Sequence, residues 1–455
     1  MAVKDKIKPL LERFEGDRVV WMIFLMLVFI SIVCIFSSTS RLLDGDTTRV
    51  DVISRHMCVV LGGIGIVLAC FIFKDTRVFR WASKYGFLLT LILMGLLVSR
   101  IDTGFIKSCN INGARRILAI KGVQIHVLEV VKIAMILYMS WAMDARKKGE
   151  LRWNDKPKRR DIAYIYGPFV VTTVLVMTAS NSAMIFIAAM MLVVIFLGGG
   201  EIKSFFLLAL LGVGIVGAGL GICKLTDGKV FGRLETMVSR VFKEDDEEAF
   251  HKARKGSIEY QEALDKLRQP YGAKIAIHEG WPLPKGPGQS TQRYCVPDMS
   301  EDYMFSFIVE EYGILGALLI LTLYVALLAR ASIIIKTFGK SYTYEKLTLA
   351  GLSLLISGQA MMHICVNVDL GVMTGQTLPL ISHGTSAFLC FCLAFGIILS
   401  FSRIATKQLE REQKKAQPLV ELRENVSAGL DALDTFESAN QTASEELDEF
   451  DDYGV

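Results

Sequence analysis

Charge is sparse in this chain beside its apolar content. Only 21% of its 455 residues are Asp, Glu, Lys or Arg, against 52% hydrophobic. Those charges sit in discrete segments and do not alternate along the chain as on a soluble surface, so the chain reads as a polytopic membrane protein. Nor does one sign dominate. The formal net charge is +4, and the basic residues cluster between apolar runs as topology signals do, which excludes nucleic acid as a partner. Nine cysteines are present, yet Cys34, Cys58, Cys70, Cys365, Cys390 and Cys392 lie inside apolar runs, where a thiol behaves as a small hydrophobe. Neither a disulfide framework nor a metal site follows, and Cys390 and Cys392, two apart on a predicted helix, point to different faces. The first apolar run also lacks a small-residue cleavage signal, so it is expected to be retained as a span.

What the chain does have is long apolar runs. Scanning for stretches long enough to cross a bilayer gives about ten transmembrane helices, near 19–38, 56–73, 85–100, 122–143, 161–179, 182–199, 204–223, 303–329, 347–367 and 379–402. The expected fold class is all-α. Lys and Arg concentrate in alternate connections: the N-terminal arm, Lys74 to Lys84, Arg146 to Arg160, Arg330 to Lys346, and Arg403 to Lys415. Those segments are expected in the cytoplasm, with both termini inside. The domains expected are a cytoplasmic arm (1–18), helices one to seven (19–223), one large extracytoplasmic loop (224–302), helices eight to ten (303–403) and a disordered acidic cytoplasmic tail (404–455). The middle of the loop mixes acids and bases at spacings that suit an exposed helix.

The chemistry-bearing residues gather where polar loops enter apolar runs. Lys285 to Glu311 carries Gly286 and Gly288 among prolines, then Asp298 and Asp302 at the mouth of the eighth span, then Glu310 and Glu311 about two turns further in. Glycine and proline punctuation makes turns that can hold backbone N–H groups near a ligand, and it equally makes tight connections without one. Acids this deep in a span need partners and mark a cavity, a proton path or a polar interior. Arg115 and Arg116 place two guanidinium groups before the fourth span. They suit bidentate phosphate binding, and pairing with lipid headgroups or loop acids equally well. Glu129 and Lys132, three apart, share one helical face and can neutralise each other inside the bundle. Ser382 belongs to a small-residue, hydroxyl-rich entry to the tenth span, which permits close helix packing. His363, a lone histidine within a span, is expected to hydrogen-bond a neighbour.

The run Pro284 to Gln292, with Pro297, Asp302, Phe305, Glu310, Glu311, Gly313 and Gly316, resembles the SEDS family of cell-wall polymerases (the FtsW, RodA and SpoVE proteins). The resemblance extends to Asn112–Arg116, to Glu129 with Lys132, and to Thr374–Ser386, and so spans most of the ten-helix core. The opening Gly16–Ser38 looks more like the division branch than the elongation branch. Departures occur at Thr178–Phe186, at His126 to Leu128, and at His363, Val372 and His383, where relatives commonly carry other residues.

The resemblance implies a peptidoglycan glycosyltransferase at the outer face of the cytoplasmic membrane, acting at the division septum. One lipid II donates its disaccharide to the 4-hydroxyl of another and undecaprenyl diphosphate leaves. Asp302 is then the general base. Arg115, Arg116, Lys285, Gly286, Gly288 and Asp298 bind substrate, and Glu129, Lys132, Glu310, Glu311 and Ser382 support them. No cofactor is required by the pattern; a divalent cation, Mg or Mn, is compatible with stabilising the diphosphate, although no ligand cluster demands it. The implied partners are a class B penicillin-binding protein and other divisome proteins. Two rival readings start from other features: a flippase of lipid-linked precursors, from the intramembrane charges, and a non-catalytic division scaffold, from the acidic tail.

Overall fold

In the computed structural model of the chain the described residues are 16–38, 48–73, 75–99, 102–103, 106–111, 114–120, 123–151, 156–201, 257–296, 298–339, 341–370 and 375–411, with a few isolated positions besides. Met1–Ile404 form one compact unit and Ala405–Val455 a second, and the packing and the site belong to the first. Apart from isolated positions, the expected seventh span (204–223), the start of the long loop and the acidic tail after 411 lie outside the described residues, whereas 404–411, expected as disordered tail, are helical.

The apolar runs fold as helices: α1 (Arg18–Ser38), α2 (Arg49–Ile72), a short α3 (Arg77–Lys84) with α4 (Gly86–Val98), α5 (Val127–Lys148), α6 (Pro157–Asp161) continuing through a π turn into α7 (Gly167–Met177), and α8 (Asn181–Leu197). After the long connection come α9 (Ile258–Glu279), a one-turn α10 (Gln292–Cys295), α11 (Met304–Thr337), α12 (Thr343–Asn367) and α13 (Thr385–Arg411). Among the described residues six helices are long and apolar enough to cross a membrane, or seven if α3 and α4, bent by 46°, make one span. The apolar α8 is shorter.

One long helix outside that set, α5, is instructive. The α5 segment carries Glu129, Lys132 and Asp144, and these charges are buried along with nearly all of its apolar residues. A charged helix surrounded by others exposes no charge to lipid. It is the central post of the bundle, packing on α4, α8 and α12.

The all-α expectation needs one correction. Between α4 and α5 the chain forms a four-stranded antiparallel sheet of consecutive strands: β1 (Asp102–Thr103), β2 (Ile106–Ile111), β3 (Ala114–Ile120) and β4 (Val123–His126). The register pairs Asn110 with Arg115 and Ile117 with His126. An Asn-Gly pair between short runs rich in β-branched residues is a strong hairpin signal. The helix expected from 122 therefore begins only at Val127.

A second departure lies in α11. Gly313 has φ 67° and ψ −162°, so the eighth span is two helical stretches joined by a break. Backbone in that conformation cannot carry the ladder of hydrogen bonds across itself, and in an apolar bundle the freed groups need partners. The loop after α9 supplies them: Lys285 N–H donates to the Glu310 carbonyl at 3.0 Å and Gly286 N–H to that of Glu311 at 3.1 Å. The loop reaches this depth because α9 presents a face of Gly272, Ala273, Ala276 and Gly280. A Cβ added at Gly280 would stand 2.1 Å from the Val309 carbonyl oxygen.

That approach predicts that Gly280→Ala destabilises the protein by about 1–3 kcal/mol, because neither backbone can yield to the methyl. The measurement is the thermal midpoint in detergent. A midpoint equal to that of the parent would show that α9 does not rest on α11 at this point.

Candidate active site

Five carboxylates of the Lys285–Glu311 stretch fall into two groups with different surroundings. Glu310 and Glu311, just before the Gly313 break, are 0% and 1% exposed. Glu310 Oε1 accepts from the Lys285 ammonium at 2.8 Å and from the Thr291 and Gln292 N–H groups at 2.8 and 3.3 Å, while Oε2 accepts from Ser290 Oγ at 2.6 Å. Glu311 accepts from Ser37 Oγ at 2.8 and 2.6 Å and from Ser290 N–H at 3.3 Å. Ser37 Oγ in turn accepts from Gly288 N–H at 3.0 Å, and Arg293 Nη1 donates to the Ser37 carbonyl at 2.8 Å. The two acids thus gather the loop 285–293 and the end of α1 onto the broken helix. Gly286 and Gly288 are both left-handed, with φ 97° and 77°.

Lys285 itself donates to Glu279, Thr291 and Glu310, so its three N–H bonds are all engaged within the loop. Burial opposes its charge, yet the hydrogen bonds to Glu279 and Glu310 outweigh that and raise its pKa. The same ammonium holds the Glu279 carboxyl below its usual range. In this arrangement Lys285 serves the loop and has no spare donor for a diphosphate.

Asp298, Glu301 and Asp302 form the second group, on the turn that leads into α11. Asp298 is exposed, with φ 55°, and its carbonyl accepts from the N–H groups of Glu301 at 3.0 Å and Asp302 at 2.9 Å. Three successive carbonyls of this turn are each held by a different residue. Ser300 accepts from His383 N–H at 2.9 Å, Glu301 from Ser382 Oγ at 2.7 Å and Asp302 from Asn367 Nδ2 at 3.1 Å. Ser382, expected from the sequence as a packing residue, is thus a clamp on the turn. His383 Nδ1 also lies 3.5 Å from Glu301 Oε1.

The segment 375–384 that supplies two of these clamps is anchored by the buried pair. Lys132, 1% exposed, donates to Glu129 at 2.6 Å, to Gln376 at 3.1 Å and to Gln359. Gln359 Nε2 donates to the Thr377 carbonyl at 3.1 Å, and the Tyr324 hydroxyl to that of Pro379. His126 N–H, at the end of β4, donates to Ser386 Oγ at 2.9 Å. The backbone of Arg115 and Arg116 lies in β3, just before the Ile117–His126 pair; their side chains, like Asn112, Gly113, Pro297 and Thr374, lie outside the described residues. The structure therefore brings Asp298, Asp302, Ser382, Glu129 and Lys132 into one connected assembly and places Lys285, Gly286 and Gly288 around Glu310 and Glu311.

Among the described residues no three His, Cys, Asp or Glu side chains converge as metal ligands. No step is assigned to a cation.

Reading the sequence position by position misses Gln359, Asn367, Gln376, Ser290 and Ser37. For two of them a signal existed: Gln359, His363 and Asn367 recur every four residues and so form one polar stripe on α12. The partners of Ser37 and Ser290 arise from chain separations of 274 and 20 residues and carry no local signal.

The chain is similar to known proteins along most of its length. Residues 17–407 match the FtsW/RodA/SpoVE family model, described as cell cycle protein. A relative in Enterococcus hirae, named a probable peptidoglycan glycosyltransferase FtsW, is 26% identical over 90% of this chain and 99% of its own. Among solved structures, a chain from work on the structural coordination of polymerization and crosslinking by a peptidoglycan synthase complex superposes with a TM-score of 0.59 at 18% identity, over 85% of this chain and 98% of that one. A variant of the rod shape determining protein RodA from Thermus thermophilus gives a TM-score of 0.53 at 18% identity, over 85% and 97%. These two establish a shared fold.

The buried acids yield a ranking. Glu310→Leu removes one of the two carboxylates on Lys285 and takes the buried acceptor from four further donors, and is expected to cost on the order of 3–5 kcal/mol, as when a buried, hydrogen-bonded charge is removed. Ser37→Ala removes one hydroxyl donor to the Glu311 carboxylate, which keeps the Ser290 N–H, and is expected to cost about 1.5–3 kcal/mol. Thermal midpoints of the two variants decide the matter, and an equal or smaller loss for Glu310→Leu would contradict the geometry.

Proposed function

The chain belongs to the FtsW, RodA and SpoVE family of cell-cycle proteins, and from that premise we propose that it is a peptidoglycan glycosyltransferase that polymerises lipid II into glycan strands. The observation that carries the reading is the triple clamp on Ser300, Glu301 and Asp302, which fixes the backbone of an acid-bearing turn at the mouth of a membrane helix. A general base needs geometry before it needs a tuned pKa, and fixed backbone supplies that geometry. The names borne by the relatives support the same chemistry.

In this mechanism the Asp302 carboxylate takes the proton from the 4-hydroxyl of one lipid-linked sugar as that oxygen attacks the anomeric carbon of another. The bond from that carbon to the diphosphate breaks, and the lipid diphosphate departs with the electron pair. Arg115 and Arg116, on β3 at the same end of the bundle, are the cations we assign to the developing charge, since donors aimed at charge that grows in the transition state lower the barrier most. Asp298 shares the turn and orients the acceptor sugar. Glu129, Lys132 and Ser382 hold the segment that clamps it.

The same reading places the turn on the outer face of the cytoplasmic membrane, where the sugars of an exported precursor meet it while their lipid tails stay in the bilayer. The positive connections support cytoplasmic termini, and the resemblance to the division branch points to the septum. The partner proposed is a class B penicillin-binding protein within the divisome, a choice supported by the coordination of polymerization and crosslinking described for the synthase complex that shares the fold.

Asp302→Asn keeps every backbone clamp and removes the base. Purified protein given lipid II is expected to lose polymerisation by roughly 10²–10⁴-fold, the usual contribution of a positioned base, with an unchanged thermal midpoint. Full activity in that variant refutes the assignment of Asp302. Translocation of lipid II across liposomes by a parent protein that makes no polymer would favour the flippase reading instead.

A further inference from the structure

The first turn of α11 follows Asp302 directly, and its own N-cap residue, Tyr303, makes no side-chain capping hydrogen bond. The first N–H groups of any helix lack intrahelical partners, and in a buried setting they must find them elsewhere. Here they find them on another helix. Phe305 N–H donates to His363 Nε2 at 3.3 Å, and Ser306 donates to Asn367 Oδ1 from its N–H at 3.0 Å and from its hydroxyl at 2.8 Å. His363 and Asn367 stand four apart on α12, on one face, and each is 1% exposed.

Both side chains face a second way as well. His363 Nδ1 lies 2.8 Å from the Gln376 carbonyl, to which it can only donate, so the ring is the tautomer with Nε2 free to accept. Asn367 Nδ2 donates to the Asp302 carbonyl at 3.1 Å and to the His363 carbonyl at 2.8 Å. One histidine therefore couples the start of α11 to the 375–384 segment, and one asparagine couples it to the residue bearing the proposed base.

We infer that His363 and Asn367 are positioning residues for the reaction, a cap supplied in trans by α12 that sets where the Asp302 carboxylate stands. The inference rests on the assignment of Asp302 above. A carboxylate one residue before an N-cap moves with the first turn of its helix, and a displacement of about 1 Å in a reacting group can cost on the order of 10²-fold in rate. Interactions that act only through such placement reduce kcat, whereas those that hold substrate raise KM.

The test compares four variants of the full chain, each assayed for lipid II polymerisation in detergent with its thermal midpoint recorded. Asp302→Ala serves as the reference for the underlying reading. His363→Leu and Asn367→Ala are expected to lower kcat by about tenfold or more while KM for lipid II stays within about twofold. His363→Gln is expected to recover most of the rate, since an amide can accept from Phe305 and donate to Gln376 as the ring does. The inference is overturned if kcat is unchanged in His363→Leu and Asn367→Ala, if the loss appears in KM, or if Gln is no better than Leu at 363. Should His363→Leu fail to fold, Asn367→Asp carries the test: it still accepts from Ser306 but turns an oxygen toward the Asp302 carbonyl, and an undiminished kcat in that variant also overturns the inference. An active Asp302→Ala would instead bring down the reading beneath, leaving the two failures distinguishable.

Discussion

A helix broken inside an apolar bundle must have its backbone satisfied by something that is not water, and the architecture around Gly313 answers that requirement. The break leaves Glu310 and Glu311 at the end of a short helical stretch, with their carbonyls met by Lys285 and Gly286. The loop that brings those donors has a backbone of its own to satisfy. Its Ser290, Thr291 and Gln292 N–H groups converge on the two buried carboxylates. Acid and loop thus solve each other's problem: the loop desolvates the acids only by donating to them. The close glycine contacts of α9 are what let the loop descend far enough to do so.

This arrangement separates two roles that carboxylates play within a few residues of each other. Glu310 and Glu311 are saturated with donors and fully buried, which suits an anchor and leaves little to offer a substrate. Asp302 is half-buried on a turn whose carbonyls are fixed from outside by Asn367, Ser382 and His383. Clamping the backbone of a residue constrains where its side chain can point while leaving that side chain a reactive group. The break at Gly313 then isolates the anchor from the long helical stretch beyond it, so the first stretch of α11 is held at both ends.

Much of this was legible in the sequence. Long apolar runs give the helices because a helix satisfies its whole backbone within one span, and the Glu129–Lys132 spacing gives a paired interior charge, which the structure closes at 2.6 Å. The expectation that His363 bonds a neighbour needed only the cost of a bare imidazole in a span. Other features were hidden for physical reasons. The Asn112-Gly113 pair is a hairpin signal, but the strands it joins are short and merge with apolar runs on either side. The break at Gly313 shows no local signature, since glycine in a membrane helix is common. A lysine in a glycine-rich loop reads as a phosphate ligand, and the carboxylate partners of Lys285, Glu279 and Glu310, are drawn in only by folding. The clamps on the Asp302 turn join positions 65 and 81 residues apart, beyond any periodicity.

The intramembrane charges illustrate why buried polarity alone is a poor guide to transport. Lys132 and Glu129 look like the start of a polar path, and charges within a span are by default a functional hypothesis. Yet the Lys132 ammonium is used up by Glu129, Gln359 and Gln376, one donor to each. Those three acceptors lie on α5 itself, on α12 and on the segment before α13, so the single charge ties three parts of the bundle together. Gln376 then passes the constraint to His363, and Gln359 passes it to Thr377. A path for ions or headgroups needs groups that can exchange partners, whereas a closed set with every donor engaged favours one fixed arrangement. Removing either member would leave a buried charge uncompensated, which is far costlier than the pair is worth. The pair is accordingly best understood as the fixed point from which the Asp302 turn is suspended.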